Sequence, residues 1–478
     1  MQSPLSRRHF IRNTSVATAA STLGFPAFVS AKSPNSKLQC AFVAVGGRAK
    51  AHISNAKRLG LQCVAFAEVD KSRWSGIGQE DGWKDAKGYT DWREIFNNHE
   101  KEVDVIFVAT PDHTHYAPSM TAISKGIHCY TEKPLSWSVK EALNLEAAYH
   151  KNTSVVTQMG NQGHAEQGWR IAYEYIKQGA IGHVKEFHTW TNRPVWPQGN
   201  PRPTYSDPVP ENLDWESWIG CAEMRPFVGK YREGPYKGKP VYHPFSWRGV
   251  VDFGAGALGD MACHTTDGIY AIMNPGYAKS VEPVWQSAPT GDQYPAGMIV
   301  KAEYRGNSER PGFTTFWYEG KRNDGSAVMP ECPEELNPYG SKDADKDPEK
   351  MTMPRTGNLI IGTHGKMLVT GDYWNSPRLL PLKKGQEFGK PLQILERSPG
   401  HHDEFIMACR GEKPREFSRS NFGYAGPMTA NIQLGNLCAR AGKKLELNEQ
   451  GVITNDPKIN DLAWRKPRGD WGAMETNI

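Results

Sequence analysis

Between Lys37 and Gly160, short runs of uninterrupted apolar residues alternate with stretches whose apolar positions recur at helical spacing. The runs are QCAFVAVG from Gln39, QCVAFAEVD from Gln62, VDVIFVATP from Val103, IHCYTEKP from Ile127 and SVVTQMG from Ser154. A strand that is apolar at every position is buried on both faces, as in a parallel sheet with helices on either side. The pattern predicts a doubly wound α/β nucleotide-binding (Rossmann) domain over residues 32–160. From Asn161 the rhythm changes. A helix is expected at about Ala165–Gln178, then a strand HVKEFHTWTN from His183, then an excursion from Arg193 to Trp247 rich in Pro, Trp and Tyr. A further helix begins near Leu258, and half-buried alternation predicts strands at about Gly297–Tyr304, Phe313–Tyr318 and Leu359–Thr370. Residues 161–478 therefore read as an α+β domain with a large, mostly antiparallel open sheet and a polar surface insertion at 321–357.

Residues 1–31 stand apart from this rhythm. Paired Arg7 and Arg8, Phe10, an uncharged stretch from Asn13 to Ala31 and a small-residue site Val29-Ser30-Ala31 match a twin-arginine signal, read by an export machinery that carries folded cargo. A periplasmic or otherwise exported destination is expected. The stretch is too short and polar to remain in a bilayer, and no other run is long and apolar enough to anchor the chain. The 478 residues carry a net charge of +5, part of it in the leader, so no basic footprint for nucleic acid is expected. Eight scattered cysteines with no C-x-x-C pair predict neither a zinc framework nor a disulfide scaffold.

The first apolar run ends in AFVAVGGRAKAH (Ala41–His52), a turn entering a helix, where free N–H groups and the helix dipole would hold a pyrophosphate. Against G-x-G-x-x-G it reads Ala44-Val45-Gly46-Gly47-Arg48-Ala49, keeping only the glycine that lets the backbone approach phosphate. The second strand ends at Glu68, about twenty residues on, where a carboxylate meets the adenosine ribose hydroxyls. An acid there repels a 2′-phosphate and favours NAD, whereas Arg48, Lys71 and Arg73 would serve NADP. Thr110, His115, Glu132 and Lys133, at or beyond later strand ends, complete the expected cofactor-binding set with Gly46, Gly47, Arg48 and Glu68.

Three motifs sharpen this: ATPDHTHY (Ala109–Tyr116), TEKPLSWSVKEA (Thr131–Ala142) and GAGALGDMACHTTD (Gly254–Asp267). In this order and spacing, the chain resembles the glucose-fructose oxidoreductase / inositol dehydrogenase / rhizopine catabolism (Gfo/Idh/MocA) family over nearly all of its length after the leader. The resemblance implies an NAD(P)-dependent oxidoreductase acting on sugars, polyols and their derivatives, assembled as a dimer or tetramer. It implies that Lys133 is the catalytic lysine and that Asp260 and His264 are the family's aspartate and histidine. Ala44 and Ala49 depart from the glycine pattern, and Ala430 stands where the family often has Glu.

The chemistry suits these residues. Oxidising a secondary alcohol sends hydride to a nicotinamide and the hydroxyl proton to a base, so a group of tunable pKa must stand at the carbinol oxygen. Asp260 and His264, at i and i+4, share a helix face. Gly254, Gly256 and Gly259 would let that helix lie close to the nicotinamide. Lys133, before Pro134 at a strand's carboxyl end, is placed to stabilise an alkoxide. Gln162, Arg193, Trp196 and Asp267 are candidate substrate contacts, with Gln158, Asn161 and His188 as weaker ones. No metal is expected. Outside the cytoplasm no nucleotide pool recycles NADH, so the cofactor is expected to be tightly bound and regenerated in place. A second sugar returning the hydride would do this. So would a glycosidase or lyase cycle of transient oxidation and elimination. A noncatalytic sugar-binding protein on the same fold is the remaining alternative.

Overall fold

A computed structural model describes residues 37–340 and 350–474. The export signal expected at 1–31, and residues 341–349 of the insertion, lie outside the described residues. Strands β1 (Gln39–Val43), β2 (Gln62–Ala67), β3 (Lys87–Tyr89), β4 (Val105–Val108), β5 (His128–Thr131) and β6 (Thr157–Met159) form an all-parallel sheet in the order β3-β2-β1-β4-β5-β6. The order reverses between β1 and β4, and their carboxyl ends open the crevice where such sheets bind ligands. Cys40, Ala41, Phe42, Val105, Ile106 and Phe107 are almost wholly buried, which is why these strands read as unbroken apolar runs. After β5 the chain re-enters helix at Val139–Lys151 through a capping box between Ser138 and Glu141.

The second sheet holds β7 (Val184–Trp190), β8 (Ser280–Gln286), β9 (Gly297–Tyr304) and β10 (Phe313–Gly320). After a small pair, β11 (Leu336–Asn337) with β12 (Met351–Thr352), it continues with β13 (Gly357–Gly362), β14 (Lys366–Thr370), β15 (Ser376–Leu380) and β16 (Leu445–Glu446). Its order is β15-β14-β13-β7-β10-β9-β8-β16, antiparallel throughout except where β7 meets β10. The predicted strand at Leu359–Thr370 is a hairpin of two, β13 and β14. The insertion differs from a purely polar surface loop, because its Val328, Leu336 and Met353 are buried in a cluster with Trp190, Leu359 and Leu368 of the sheet.

Two helices carry the junction between the sheets. Gly256–Thr265 is buried at all ten positions. The twenty-residue helix Phe422–Ala441 has its Ala430 fully buried, and its first residue's N–H donates to Thr157 Oγ1 on β6. Where the resembling family often has Glu, the small Ala430 therefore sits inside a packed helix. The excursion 193–247 builds a core of its own, with Trp215 stacked on Trp218 at 4.7 Å and both packed with Tyr242 and Phe253. It closes one side of the crevice. No helix among the described residues is long and apolar enough to cross a membrane.

Candidate active site

A cleft of about 520 Å³ runs along the carboxyl ends of β1, β2, β4 and β5. At one end lie Ala44, Gly46, Gly47, Arg48, Glu68 and Arg73. At the other lie Lys133, Gln162, Arg193, Trp196, Arg248, Asp260, His264, Asp372 and Tyr373, with Thr110 and Glu132 between.

At the first end, β1 turns into the helix Ala49–Arg58. Gly47 has φ +52, in the left-handed region that glycine enters without cost. Ala44 has φ 78, so the residue that replaces the first glycine of the pattern is held in a conformation L side chains avoid. Glu68 bends back onto the turn. One of its carboxylate oxygens accepts the N–H groups of Val45 and Gly46, both at 3.1 Å, and the other accepts that of Asp70 at 3.0 Å. The N–H groups of Gly47 and Arg48 donate to no acceptor among the described residues. Arg73 lies across Gly46, with Nε 3.0 Å from Asp70 Oδ2.

Thr110 Oγ1 is buried without a partner. His115 is not a cleft residue. It is fully buried, and its ring nitrogens sit 2.7 Å from the Pro134 carbonyl and 2.9 Å from the Thr110 carbonyl, so the ring is an internal strut under both loops. Burial pushes its pKa below the ordinary histidine value. Glu132 contacts Arg48 Nε at 3.1 Å and His52 Nε2 at 3.0 Å. Burial opposes its charge, but the His52 hydrogen bond, with Arg48 and Lys133 nearby, outweighs burial and holds the carboxyl well below the usual range.

At the second end Lys133 follows β5, and its bond to Pro134 is cis. Its ammonium donates to Asp260 Oδ1 at 2.6 Å and to the Asp260 carbonyl at 2.9 Å. Burial works against that charge, yet Asp260 and Asp112 raise the pKa above the ordinary lysine value despite Arg248. Asp260 also accepts from Arg248 Nε at 3.1 Å. Burial disfavours its charge too, but the two cations draw it down to about 2. His264, one turn along, is buried with Nδ1 unpartnered, its ring edge-on to Tyr373 at 4.9 Å. Burial, and then Lys133, push it down to about 3, so it stands as a neutral imidazole. Asp112, which lines the cleft and accepts the Ala255 N–H at 3.0 Å, is lifted by burial to about 7.

The candidate substrate contacts divide. Gln162 donates to Tyr373 O–H at 2.9 Å, with its own Oε1 unpartnered, and Arg193 bonds Asn192. Asp267 turns away from the cleft. It accepts from Asn161 at 2.8 Å, His164 at 3.0 Å and Tyr424 at 2.8 Å, all three outside its own helix. Gln158 and Asn161 bond His401 and Ser420 rather than facing the cleft. His188 is on β7, bonded to Tyr318 and Glu186. Gly254, Gly256 and Gly259 are also outside the cleft lining. The space their missing side chains leave is taken by the Arg248 backbone, the Tyr294 ring and Ala255. Among the described residues no cluster of three or more His, Cys, Asp or Glu side chains could hold a metal. Sequence reasoning passed over Arg248, Asp112, Asp372 and Tyr373. Asp112 lies inside the motif ATPDHTHY, whereas Arg248, Asp372 and Tyr373 carry no local signal.

A Rossmann sheet with a glycine turn, an acid closing it, and a lysine–aspartate–histidine group thus line one cleft. Residues 38–160 match the family model Gfo/Idh/MocA, described as "Oxidoreductase family, NAD-binding Rossmann fold". Levoglucosan dehydrogenase of Pseudarthrobacter phenanthrenivorans is 26% identical over 179 residues, 37% of this chain and 34% of that protein, so the match spans about a third of the relative. The WlbA dehydrogenase of Bordetella pertussis, solved with NADH and UDP-GlcNAcA, superposes with a TM-score of 0.54 at 16% identity, covering 86% of this chain and 99% of that one. An inositol dehydrogenase homolog of Azotobacter vinelandii, solved with NADH and myo-inositol, gives 0.54 at 17% identity, covering 86% and 98%. At these identities the solved structures show a shared fold.

Proposed function

We propose that this protein moves hydride between a nicotinamide dinucleotide and a secondary hydroxyl of a sugar or polyol. The observation that carries this is the Lys133–Asp260 pair at 2.6 Å in one cleft with the unpartnered, neutral His264. The named activities of levoglucosan dehydrogenase and of the inositol dehydrogenase homolog support the substrate class.

The residues fit a dinucleotide. Gly47 and Arg48 keep their N–H groups at the start of a ten-residue helix, and the buried Thr110 hydroxyl lacks a partner on the path to Lys133. Glu68 places a carboxylate at the adenosine end, while Arg48 and Arg73 are each already paired with an acid and Lys71 does not line the cleft. That balance favours NAD over NADP. When bound, the nicotinamide supplies a hydride acceptor. The chain's own residues handle the proton. Lys133 donates a hydrogen bond to the substrate oxygen as it becomes an alkoxide. His264 accepts the hydroxyl proton at its open Nδ1, and Asp260, released in part from Lys133, offsets the imidazolium charge.

We also infer that the folded protein is exported through the twin-arginine route with its cofactor retained and regenerated in place. The leader Ser6–Ala31 supports that reading. The test is native purification without added nucleotide, followed by addition of levoglucosan or myo-inositol. Reduced-nicotinamide absorbance in the first turnover is expected. Protein that reduces only external NAD would refute retention, and protein that reduces none would refute the dehydrogenase reading. Lys133→Met is expected to lower kcat/KM by about a hundred- to a thousandfold with NADH affinity kept. Unchanged turnover would remove Lys133 from the mechanism.

A further inference from the structure

Trp196 reaches the cleft from the Pro/Trp-rich excursion, and a buried polar chain ties it to the second sheet. Trp196 Nε1 donates to Gln198 Oε1 at 3.1 Å, and Gln198 Nε2 donates to the Pro295 carbonyl at 2.7 Å and to Glu319 Oε1 at 3.1 Å. Trp317 Nε1 donates to the other oxygen of Glu319 at 2.7 Å. Trp196 and Gln198 are each 2% exposed and Glu319 is 0% exposed, and no cation among the described residues pairs with Glu319. A carboxylate in such a place is costly unless its acceptors are used.

The bonding sense along this chain is forced. The Pro295 carbonyl only accepts, so Gln198 must turn its amide nitrogen toward it and toward Glu319, which leaves the Gln198 carbonyl for the indole N–H. A flipped Gln198 would set donor against donor at Trp196. The same segment bears on the catalytic group. A Cβ on Gly249 would lie 2.1 Å from the Pro197 carbonyl oxygen and 3.2 Å from Trp196 Cδ1, so the excursion packs directly on the turn carrying Arg248. The Arg248 guanidinium lies 5.9 Å from the Trp196 ring and bonds Asp260, the partner of Lys133.

We propose that Glu319 is a positioning residue for the substrate end of the cleft. Through Gln198 it fixes the Trp196 wall and the backing of Arg248, and so sets affinity for the carbohydrate without touching it. This rests on the reading that a sugar or polyol lies beside Lys133, and the experiment separates the two.

Glu319→Gln presents an NH₂ group to one of two donors, so either the Gln198 bond or the Trp317 bond is lost unless Gln198 turns over. The protein is labelled with 5-fluorotryptophan, and the Trp196 fluorine resonance is assigned by its loss in Trp196→Phe. In Glu319→Gln that resonance is expected to shift. The KM for levoglucosan or myo-inositol is expected to rise about tenfold, with kcat and NAD affinity nearly unchanged. In the double variant Glu319→Gln/Gln198→Glu, the new carboxyl at position 198 accepts from Trp196 and from the new amide at position 319, whose carbonyl accepts from Trp317. Protonated in this buried site, the position-198 carboxyl keeps an O–H for the Pro295 carbonyl, and the double variant is expected to restore most of both readouts, which a merely structural role would not do. Should Glu319→Gln not fold, Gln198→Met cuts the same link and is expected to shift both in the same sense. An unmoved resonance with unchanged KM in either single variant overturns the inference and leaves the dehydrogenase reading standing. A wild-type protein that oxidises neither compound counts against that reading, and the resonance then decides the role of Glu319 alone.

Discussion

Glu68 offers the most direct test of how the nucleotide turn is built. Its carboxylate takes three backbone N–H groups, from Val45, Gly46 and Asp70, at 3.0–3.1 Å, and the side chain is almost wholly buried. Hydrogen bonds to an ionised acceptor contribute roughly 1.5–3 kcal/mol each, and water entering the space left by Glu68→Ala would recover part of that. A net local loss of about 2 kcal/mol is the conservative figure, equivalent to about a thirtyfold change in an opening equilibrium. Hydrogen exchange on nucleotide-free protein reads it directly. The amides of Val45, Gly46 and Asp70 should exchange about thirtyfold faster in Glu68→Ala, while amides in the core of β4 stay protected. If Glu68 served only the ribose, exchange without nucleotide would be the same in both proteins, and the reasoning that this acid braces the turn would be wrong.

Ala44, at φ 78, carries a left-handed penalty of about 1 kcal/mol, partly cancelled in Ala44→Gly by the looser unfolded chain. A net gain of about 0.5 kcal/mol in urea unfolding is expected, and a loss would mean that the methyl group's contacts dominate. Stability should also peak near pH 6.5, the ordinary histidine value. Burial lowers His113 and His264 to about 3, His128 and His401 to about 4, and His402 to about 2, so the unfolded chain binds more protons there and stability rises with pH up to the ordinary histidine value. Burial raises Asp112 and Glu141 to about 7 and Glu319 to about 8, so the folded chain binds more protons and stability falls with pH from their unfolded values up to those points. Below about pH 6.5 the five imidazoles outweigh the three carboxyls, and above it only the carboxyls act. Unfolding midpoints at about pH 5, 6.5 and 8 check this, and a midpoint still rising over the upper half of that range would contradict it.

The parallel sheet was legible because burial on both faces leaves an unbroken apolar run, and β1, β2, β4, β5 and β6 each lie inside one. β3 escaped notice because Lys87-Gly88-Tyr89 is an edge strand with no apolar pattern. The helix Phe422–Ala441 was invisible for the opposite reason. It is buried on most sides, so it shows no amphipathic period, and FGYAGP at its start has the composition of a turn. Lys133, Asp260 and His264 were legible through motif spacing, which fixes position along a strand end or a helix face. Asp267 was misjudged because periodicity does not give direction past a helix end. The helix stops at Thr265 and a new one starts at Asp267, which sends that carboxylate to Asn161, His164 and Tyr424. Arg248 was out of reach of any local pattern, since its partner Asp260 meets it only through the fold of the excursion.

Glu132 shows why the two ends of the cleft should be set together. A buried carboxylate must be matched by donors, and this one takes Arg48 from the nucleotide turn and His52 from the helix that the turn begins. His52 is in turn 2.9 Å from His402, on the helix His401–Cys409, which packs against the first sheet. Lys133 is the next residue after Glu132, so displacing the turn displaces Glu132 and carries the ammonium with it. The positions of the glycine turn and of the Lys133 ammonium are therefore coupled through one buried charge. The strand end that presents Lys133 is thereby tied to the turn that begins the helix Ala49–Arg58.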